Sequence, residues 1–169
     1  MNELMQAVSQ AETIAIGGHV RPDGDCIGSC MGLYSYIQDN FPGKKVTVYV
    51  EEIPSAFDYL SKEEAMTEQC GADQVYDLFV ALDCGDKERL GEAAGILEKA
   101  KATYCVDHHI TNTHFCQKEQ VEADASSTSQ ILYTLMEDEK ISYATACCLY
   151  TGIIHDTGVF KHSNTSCRT

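Results

Sequence analysis

Histidines and aspartates carry most of the chemistry in this chain, and they recur in one setting. His19-Val20-Arg21-Pro22-Asp23-Gly24-Asp25 follows the apolar run Thr13-Ile14-Ala15-Ile16-Gly17-Gly18. Asp83 closes Phe79-Val80-Ala81-Leu82. Asp107-His108-His109 closes Thr103-Tyr104-Cys105-Val106, and Asp156 lies just past Gly152-Ile153-Ile154. Carboxylate oxygens suit hard divalent cations, and manganese also accepts imidazole. Asp23 and Asp25, two apart in a turn and with His19 four before Asp23, can enter one cavity yet reach different ions. Asp83 ends a separate strand, expected to be central, and is placed to bridge two ions; His108 and Asp156 would complete the second. Two metals about 3.5–4 Å apart activate a water and steady both the attacking and the leaving oxygen of a phosphoryl displacement. Any one of these motifs alone is ordinary, since Asp-Gly-Asp is a common turn and Asp after a strand a common helix cap. Their joint occurrence points to metal-assisted hydrolysis of phosphate esters.

For motifs so far apart in the chain to meet, the apolar runs must be neighbouring strands of one sheet. Open α/β sheets bind ligands at the carboxyl ends of their strands. Strands are predicted over residues 13–18, 44–50, 77–83 and 102–106. Helical spacing of Leu4, Met5 and Val8 predicts a helix over 2–12; Ile27, Cys30, Met31, Tyr34 and Ile37 predict another over 26–40, stopped by Phe41-Pro42-Gly43. Residues 87–102, rich in Ala, Glu and Lys, read as a helix. Ser127 and Gln130 fit a capping box opening a helix through Met136, and a further helix covers 142–154. Residues 53–71 read as a short helix and a loop, and 112–124 as polar with one edge strand. The alternation predicts an α/β, Rossmann-like fold with a mostly parallel central sheet and helices on both faces.

Other features are weaker. The spacing of Gly17-Gly18 does not match a dinucleotide fingerprint. Gly28-Ser29 reads as close helix packing, with Ser29 a candidate phosphate contact and Arg21 another. His114 reads as a surface or loop residue. His155 diverges in direction from its neighbour Asp156 and is left outside the ligand set, as are the soft thiols Cys26 and Cys84.

The formal net charge is -14, from 12 Lys and Arg against 26 Asp and Glu. Without a basic face, long duplex nucleic acid is excluded as a partner. A small anion gripped locally by metal is compatible with this charge. The remaining acid reads as solvated surface at Glu51-Glu52, Glu63-Glu64 and Glu137-Asp138-Glu139. The nine cysteines are odd in number and show no Cys-x-x-Cys spacing, so they read as reduced thiols. Met1-Asn2-Glu3-Leu4 opens no signal peptide and no apolar stretch spans a bilayer, so no membrane association and a cytoplasmic location are expected.

At these residues the sequence resembles the DHH phosphoesterase superfamily, over nearly the whole chain. His19-Val20-Arg21-Pro22-Asp23-Gly24-Asp25-Cys26-Ile27-Gly28-Ser29 resembles its first motif and Ala81-Leu82-Asp83 its second. Asp107-His108-His109, followed by Asn112, resembles the third, and Asp156-Thr157-Gly158 with Phe160 the fourth. The likeness is greatest to the subfamily of bifunctional oligoribonucleases and phosphoadenosine phosphate phosphatases. It implies a manganese-dependent phosphoesterase of short oligonucleotides, linear dinucleotides or 3′-phosphorylated nucleotides, with magnesium or another divalent ion as substitute. It implies that His19, Asp23 and Asp83 hold one Mn2+, and that Asp25, Asp83, His108 and Asp156 hold a second. His109 would face the phosphate as a catalytic residue beside Asp83, with Asp107 and Asn112 supporting it from behind. Arg21 stands where the family has Asn, and Cys26 where it has Ala. The resemblance further implies a catalytic domain over 1–162, with 163–169 opening a linker to a C-terminal substrate-binding domain outside this sequence. A homodimer is compatible with this reading. Two alternatives are a nucleotide- or metal-binding module with little turnover, and an inorganic pyrophosphatase. Gly24 speaks against the latter, because pyrophosphatases of this superfamily typically carry Thr there.

Overall fold

The computed structural model describes residues 1–51, 53–60, 66–67 and 74–169. Glu52, Glu63-Glu64, Cys70 and much of the loop expected over 53–71 lie outside the described residues. Leu78-Phe79-Val80-Ala81-Leu82 contains no polar residue, so a strand made from it needs cover on both faces. It forms β4 (Leu78–Leu82), buried at every position. β1 (Thr13–Gly17) pairs with one edge of β4 and β5 (Ala102–Asp107) with the other. β2 (Lys45–Tyr49) and the two-residue β3 (Met66–Thr67) extend the sheet beyond β1, and β6 (Lys118–Val121) extends it beyond β5. The order is β3-β2-β1-β4-β5-β6, and every pairing is parallel. The chain builds outward from β1, then returns to its other side with β4. The strand order therefore reverses between β1 and β4, and the crevice past their carboxyl ends is the topological switch point.

Alternate residues of each strand feed two cores. Ile14, Ile16, Val80, Leu82 and Val106 face α1 (Glu3–Gln10), α2 (Gly24–Asn40), α4 (Thr128–Leu135) and α5 (Tyr143–Asp156). Ala15, Phe79, Ala81 and Cys105 face the opposite way, onto Leu90, Ile96 and Leu97. Helical turns thus cover both faces. The long helix expected over 87–102 is not one helix, however. A 3-10 segment, Lys87–Ala93, leads into the four-residue α3 (Ala94–Leu97). Gly91 breaks the run at φ 57°, and a Cβ there would lie 2.7 Å from Val20 Cγ1. One glycine in the left-handed region overrides the helical propensity of its neighbours.

Side-chain caps open the helices on the first face. Asn2, Ser127 and Ser142 accept from the backbone N–H of Met5, Gln130 and Thr145. The capping box at Ser127 is only half formed. The Gln130 side chain reaches past it to accept from Ser126 N (2.8 Å) and Ser126 Oγ (2.7 Å), tying down the loop before α4. Residues beyond α5 turn back on the same loop: Asn164 Nδ2 donates to the Ser126 carbonyl at 3.1 Å. Among the described residues no helix is long and apolar enough to cross a membrane. The described cysteines are free thiols, with Cys26, Cys30, Cys84, Cys105 and Cys148 buried.

α2 is the internal helix, buried without a break from Gly24 to Leu33. It can sink this far because small residues let α5 approach it. A Cβ on Gly28 would stand 2.5 Å from the Cys148 carbonyl oxygen and 2.9 Å from Gly152 N. Those neighbours are backbone and cannot rotate aside. Gly28→Val should therefore prise α2 from α5 and lower stability by about 1–3 kcal/mol, the range for overpacking. Urea unfolding checks this; an unchanged midpoint would show that the helices part at no cost.

Candidate metal centre

Strand β1 ends at Gly17, and two residues later the chain turns His19 inward. His19 is almost fully buried, and its Nδ1–H donates to the Val20 carbonyl at 2.9 Å. That bond leaves Nε2 facing the switch-point crevice, 3.8 Å from Asp23 Oδ1 and 3.5 Å from Asp83 Oδ2. Asp23 caps α2, accepting from Asp25 N and Cys26 N. Gly24 is required here, since a Cβ would sit 2.6 Å from the His155 ring carbon Cγ. Asp25, one turn further in, is wholly buried. Its oxygens accept from Thr128 N at 2.6 Å and Ser129 N at 3.0 Å, so the amino end of α4 is built against it.

Asp83 follows β4 with φ 55°. Its N–H still bonds to the Val106 carbonyl of β5, so the side chain leaves the sheet at the strand end. Non-glycine residues seldom adopt this backbone region, and it clusters at sites where geometry is constrained by function. The carboxylate is buried and sits between two imidazoles. Oδ2 faces His19; Oδ1 lies 3.4 Å from His108 Nε2 and accepts from the Thr128 hydroxyl at 3.1 Å. His108 Nε2 is also 3.1 Å from Asp156 Oδ2, at the end of α5, and 3.9 Å from Asp25 Oδ2.

Side chains from four motifs therefore form overlapping groups, two of which adjoin through the contact between Asp83 and His108, while Asp83, His108 and His109 make a further one. His19, Asp23 and Asp83 make one of the two; Asp25, His108 and Asp156 make the other; each has ligand atoms close enough to share an ion. Among the described residues, the four carboxylates have only histidines as ion-pair partners, with no Lys or Arg among them. Burial, then the neighbouring Asp83 and Asp156 charges, push the Asp25 pKa well above the ordinary carboxylate range. Burial also opposes the charged form of Asp83, but His108 and His19 outweigh it and hold this carboxyl below that range. Burial opposes protonation of His19 too. Asp23 and Asp83 overcome it and lift the imidazole to about 11, and Asp156 and Asp83 lift His108 likewise to about 11. An oxygen-rich donor set with two imidazoles fits divalent cations.

His109 is arranged differently. Its Nδ1 bonds to Asp107 Oδ1 at 2.6 Å, and Asp107 Oδ2 accepts from Asn112 Nδ2 at 2.7 Å. Asp107 is fully buried while His109 is half-buried. The hydrogen bond to Asp107, against some burial, raises the His109 pKa above its usual value. Fixing Nδ1 in this way leaves Nε2 as the free nitrogen.

Three other residues fall elsewhere. Ser29 is wholly buried and its hydroxyl donates to the Cys26 carbonyl, so it packs the inside of α2 and cannot touch a substrate. Arg21 is exposed at the rim with φ 54°, its N–H held by Glu51. His114 pairs with Glu119 on the surface. His155 stands nearer the centre than sequence suggested: its Nδ1 is 3.6 Å from Asp156 Oδ1, and it forms a further group with Asp23 and Asp156. Sequence reasoning missed Thr128 and Ser129. The signal available was Ser126-Ser127-Thr128-Ser129, four hydroxyl residues opening an amphipathic helix, all of which are buried.

A family model described as the DHH family, N-terminal domain, matches residues 13–153. The chain is 30% identical over 168 residues to a probable bifunctional oligoribonuclease and PAP phosphatase of Streptococcus mutans, covering 98% of this chain and 52% of that protein. It is 33% identical over 176 residues to a bifunctional oligoribonuclease and PAP phosphatase of Mycoplasma pneumoniae, covering 99% and 53%. It thus spans about half the length of these curated relatives. Among solved structures, an exopolyphosphatase-related protein from Bacteroides fragilis superimposes with a TM-score of 0.87 at 26% identity, over 97% of this chain and 52% of that one. With the model matching most of its length and the name-giving triplet at Asp107-His108-His109, the chain belongs to the DHH family.

Proposed function

We propose that this chain is a metal-dependent phosphoesterase that uses two divalent cations, best manganese, to hydrolyse short oligonucleotides, linear dinucleotides or 3′-phosphorylated nucleotides. The observation that carries this reading is the pair of ligand groups, one containing Asp83 and the other reaching it through His108. The names of the relatives support the substrate class. His19, Asp23 and Asp83 would hold one cation, and Asp25, Asp83, His108 and Asp156 the other. When bound, such cations supply Lewis acidity at a phosphoryl oxygen.

The chain's own residues do the rest. Asp25 of α2 and Asp83, both buried and both bonded to Thr128 of α4, form the floor of the site. Asp107 fixes the His109 ring, so that Nε2 can donate a hydrogen bond to a phosphate oxygen or a proton to the departing alkoxide. Thr128 holds the Asp83 carboxylate in one orientation while both histidines pull on it.

Calorimetric titration with Mn2+ should give two equivalents, and chelation should abolish hydrolysis of a dinucleotide. A single equivalent would defeat the two-ion reading. Pyrophosphate cleaved faster than any nucleotide would move the protein to the pyrophosphatase class.

A further inference from the structure

Beside the metal centre a groove of about 410 Å³ runs along the outer face of α5. Its walls are Phe57 and Tyr59, from the 3-10 segment Ser55–Leu60, and Tyr150, Thr151 and Ile154 of α5; His155 closes one end. His155 is also the residue that reaches Asp23 and Asp156, so the groove and the centre adjoin at this side chain. Among the described residues that line it, none is Lys, Arg, Asp or Glu. Three aromatic rings line it, and two of them, Tyr59 and Tyr150, are more than half exposed. These rings are held in place. Phe57 meets the His155 ring edge-on at 5.9 Å, and Tyr150 leans on Phe160 at 6.4 Å.

The pair of hydroxyls at Thr151 and Tyr59 has a defined polarity. Thr151 Oγ1 donates its proton to the Cys147 carbonyl at 2.9 Å. The Tyr59 hydroxyl, 2.9 Å from Thr151 Oγ1, must then be the donor in that contact. What Tyr59 Oη has left to offer the groove is lone pairs, an acceptor for an amino or ring N–H. A flat, neutral, aromatic ligand bearing N–H groups, attached to a phosphate held at the centre, matches all of this.

We infer that this groove binds one nucleobase of the substrate, stacked on Tyr59 and Tyr150, while the adjoining phosphate occupies the centre. The inference rests on the phosphoesterase reading and adds a specificity site to it. Aromatic stacking tolerates every base, so the groove favours a nucleotide over a base-free phosphate ester without selecting a sequence.

The test compares one dinucleotide with its two abasic counterparts, each lacking the base at one position. For one of those positions, the double variant Tyr59→Ala/Tyr150→Ala should lose roughly 10- to 100-fold in kcat/KM on the intact dinucleotide, mainly through KM, yet stay within about twofold of wild type on the abasic compound. Equal losses on all three compounds, or none on any, overturn the base site while leaving the phosphoesterase reading intact. Wild-type protein that cleaves none of them overturns both. A direct reading uses wild-type protein with Ca2+ and a nucleoside monophosphate. Saturation-transfer NMR should then mark the base protons more strongly than the sugar protons, and the reverse order overturns the site. A fall in molecular mass of the double variant by sedimentation, with substrate constants unchanged, would instead make the groove a contact between copies of the chain.

Discussion

Asp83→Ala should leave a folded protein with no useful turnover. Asp83 is the carboxylate that touches both imidazoles, with one oxygen toward His19 and the other toward His108. Removing it takes a ligand from both proposed ions and leaves the Thr128 hydroxyl without its acceptor. Lewis-acid stabilisation of a phosphoryl transition state is worth several kcal/mol. At 1.36 kcal/mol per decade, a loss of about 10⁴-fold or more in kcat is expected. Mn2+ stoichiometry should fall from two to one or none. Because Asp83 sits at φ 55°, Asp83→Gly is the right companion, since it removes the carboxylate without forcing a Cβ into the left-handed region. Both variants should behave alike in metal binding and turnover. If Asp83→Ala still binds two ions as tightly as wild type, the bridge does not exist.

The next largest effect is expected at His109. Its neighbour His108 points Nε2 into the carboxylates, whereas His109 has Nδ1 committed to Asp107. His109→Ala should therefore keep both Mn2+ equivalents and lose roughly 10²- to 10⁴-fold in kcat, the range for a positioned acid–base group. Metal titration and steady-state kinetics on the same preparation decide it. If the second Mn2+ equivalent disappears along with activity, His109 is a ligand and the proton-transfer role is wrong.

The residues of the centre were legible in the sequence because each lies where an apolar run stops. An apolar β-rich run has few folds open to it, and the side chain just past its end must lie at a sheet edge. Asp83 and His108 were readable for that reason, and the parallel strand order follows from the intervening helical segments. Readability failed where the outcome depends on contacts remote in sequence. Residues 87–102 have the composition of a helix, but the close approach of Val20 at Gly91 breaks it. Ser127 and Gln130 have capping-box spacing, yet the Gln130 side chain is drawn to Ser126 instead. Thr128 and Ser129 look like ordinary first-turn residues; only the docking of α4 onto Asp25 gives their N–H groups a purpose. Gly28 beside Ser29 signalled close packing of α2, but the motif around Ser29 kept it a candidate phosphate contact until its burial was seen.

The seating of α2 against α5 through Gly28 and Gly152 also governs the order in which the protein can assemble during synthesis. A ribosome delivers His19, Asp23 and Asp25 well before Asp156. Until α4 and α5 emerge, α2 has an uncovered apolar face, and the Asp25 carboxylate lacks the two N–H groups that receive it. Closing so long a loop costs entropy before any contact repays it, and parallel sheets fold slowly for this reason. The nascent protein thus passes through a stage with a half-covered sheet and only part of its acidic cluster, the stage at which aggregation and chaperone capture compete with folding. Docking of α5 ends that stage and, in the same movement, brings Asp156 to His108.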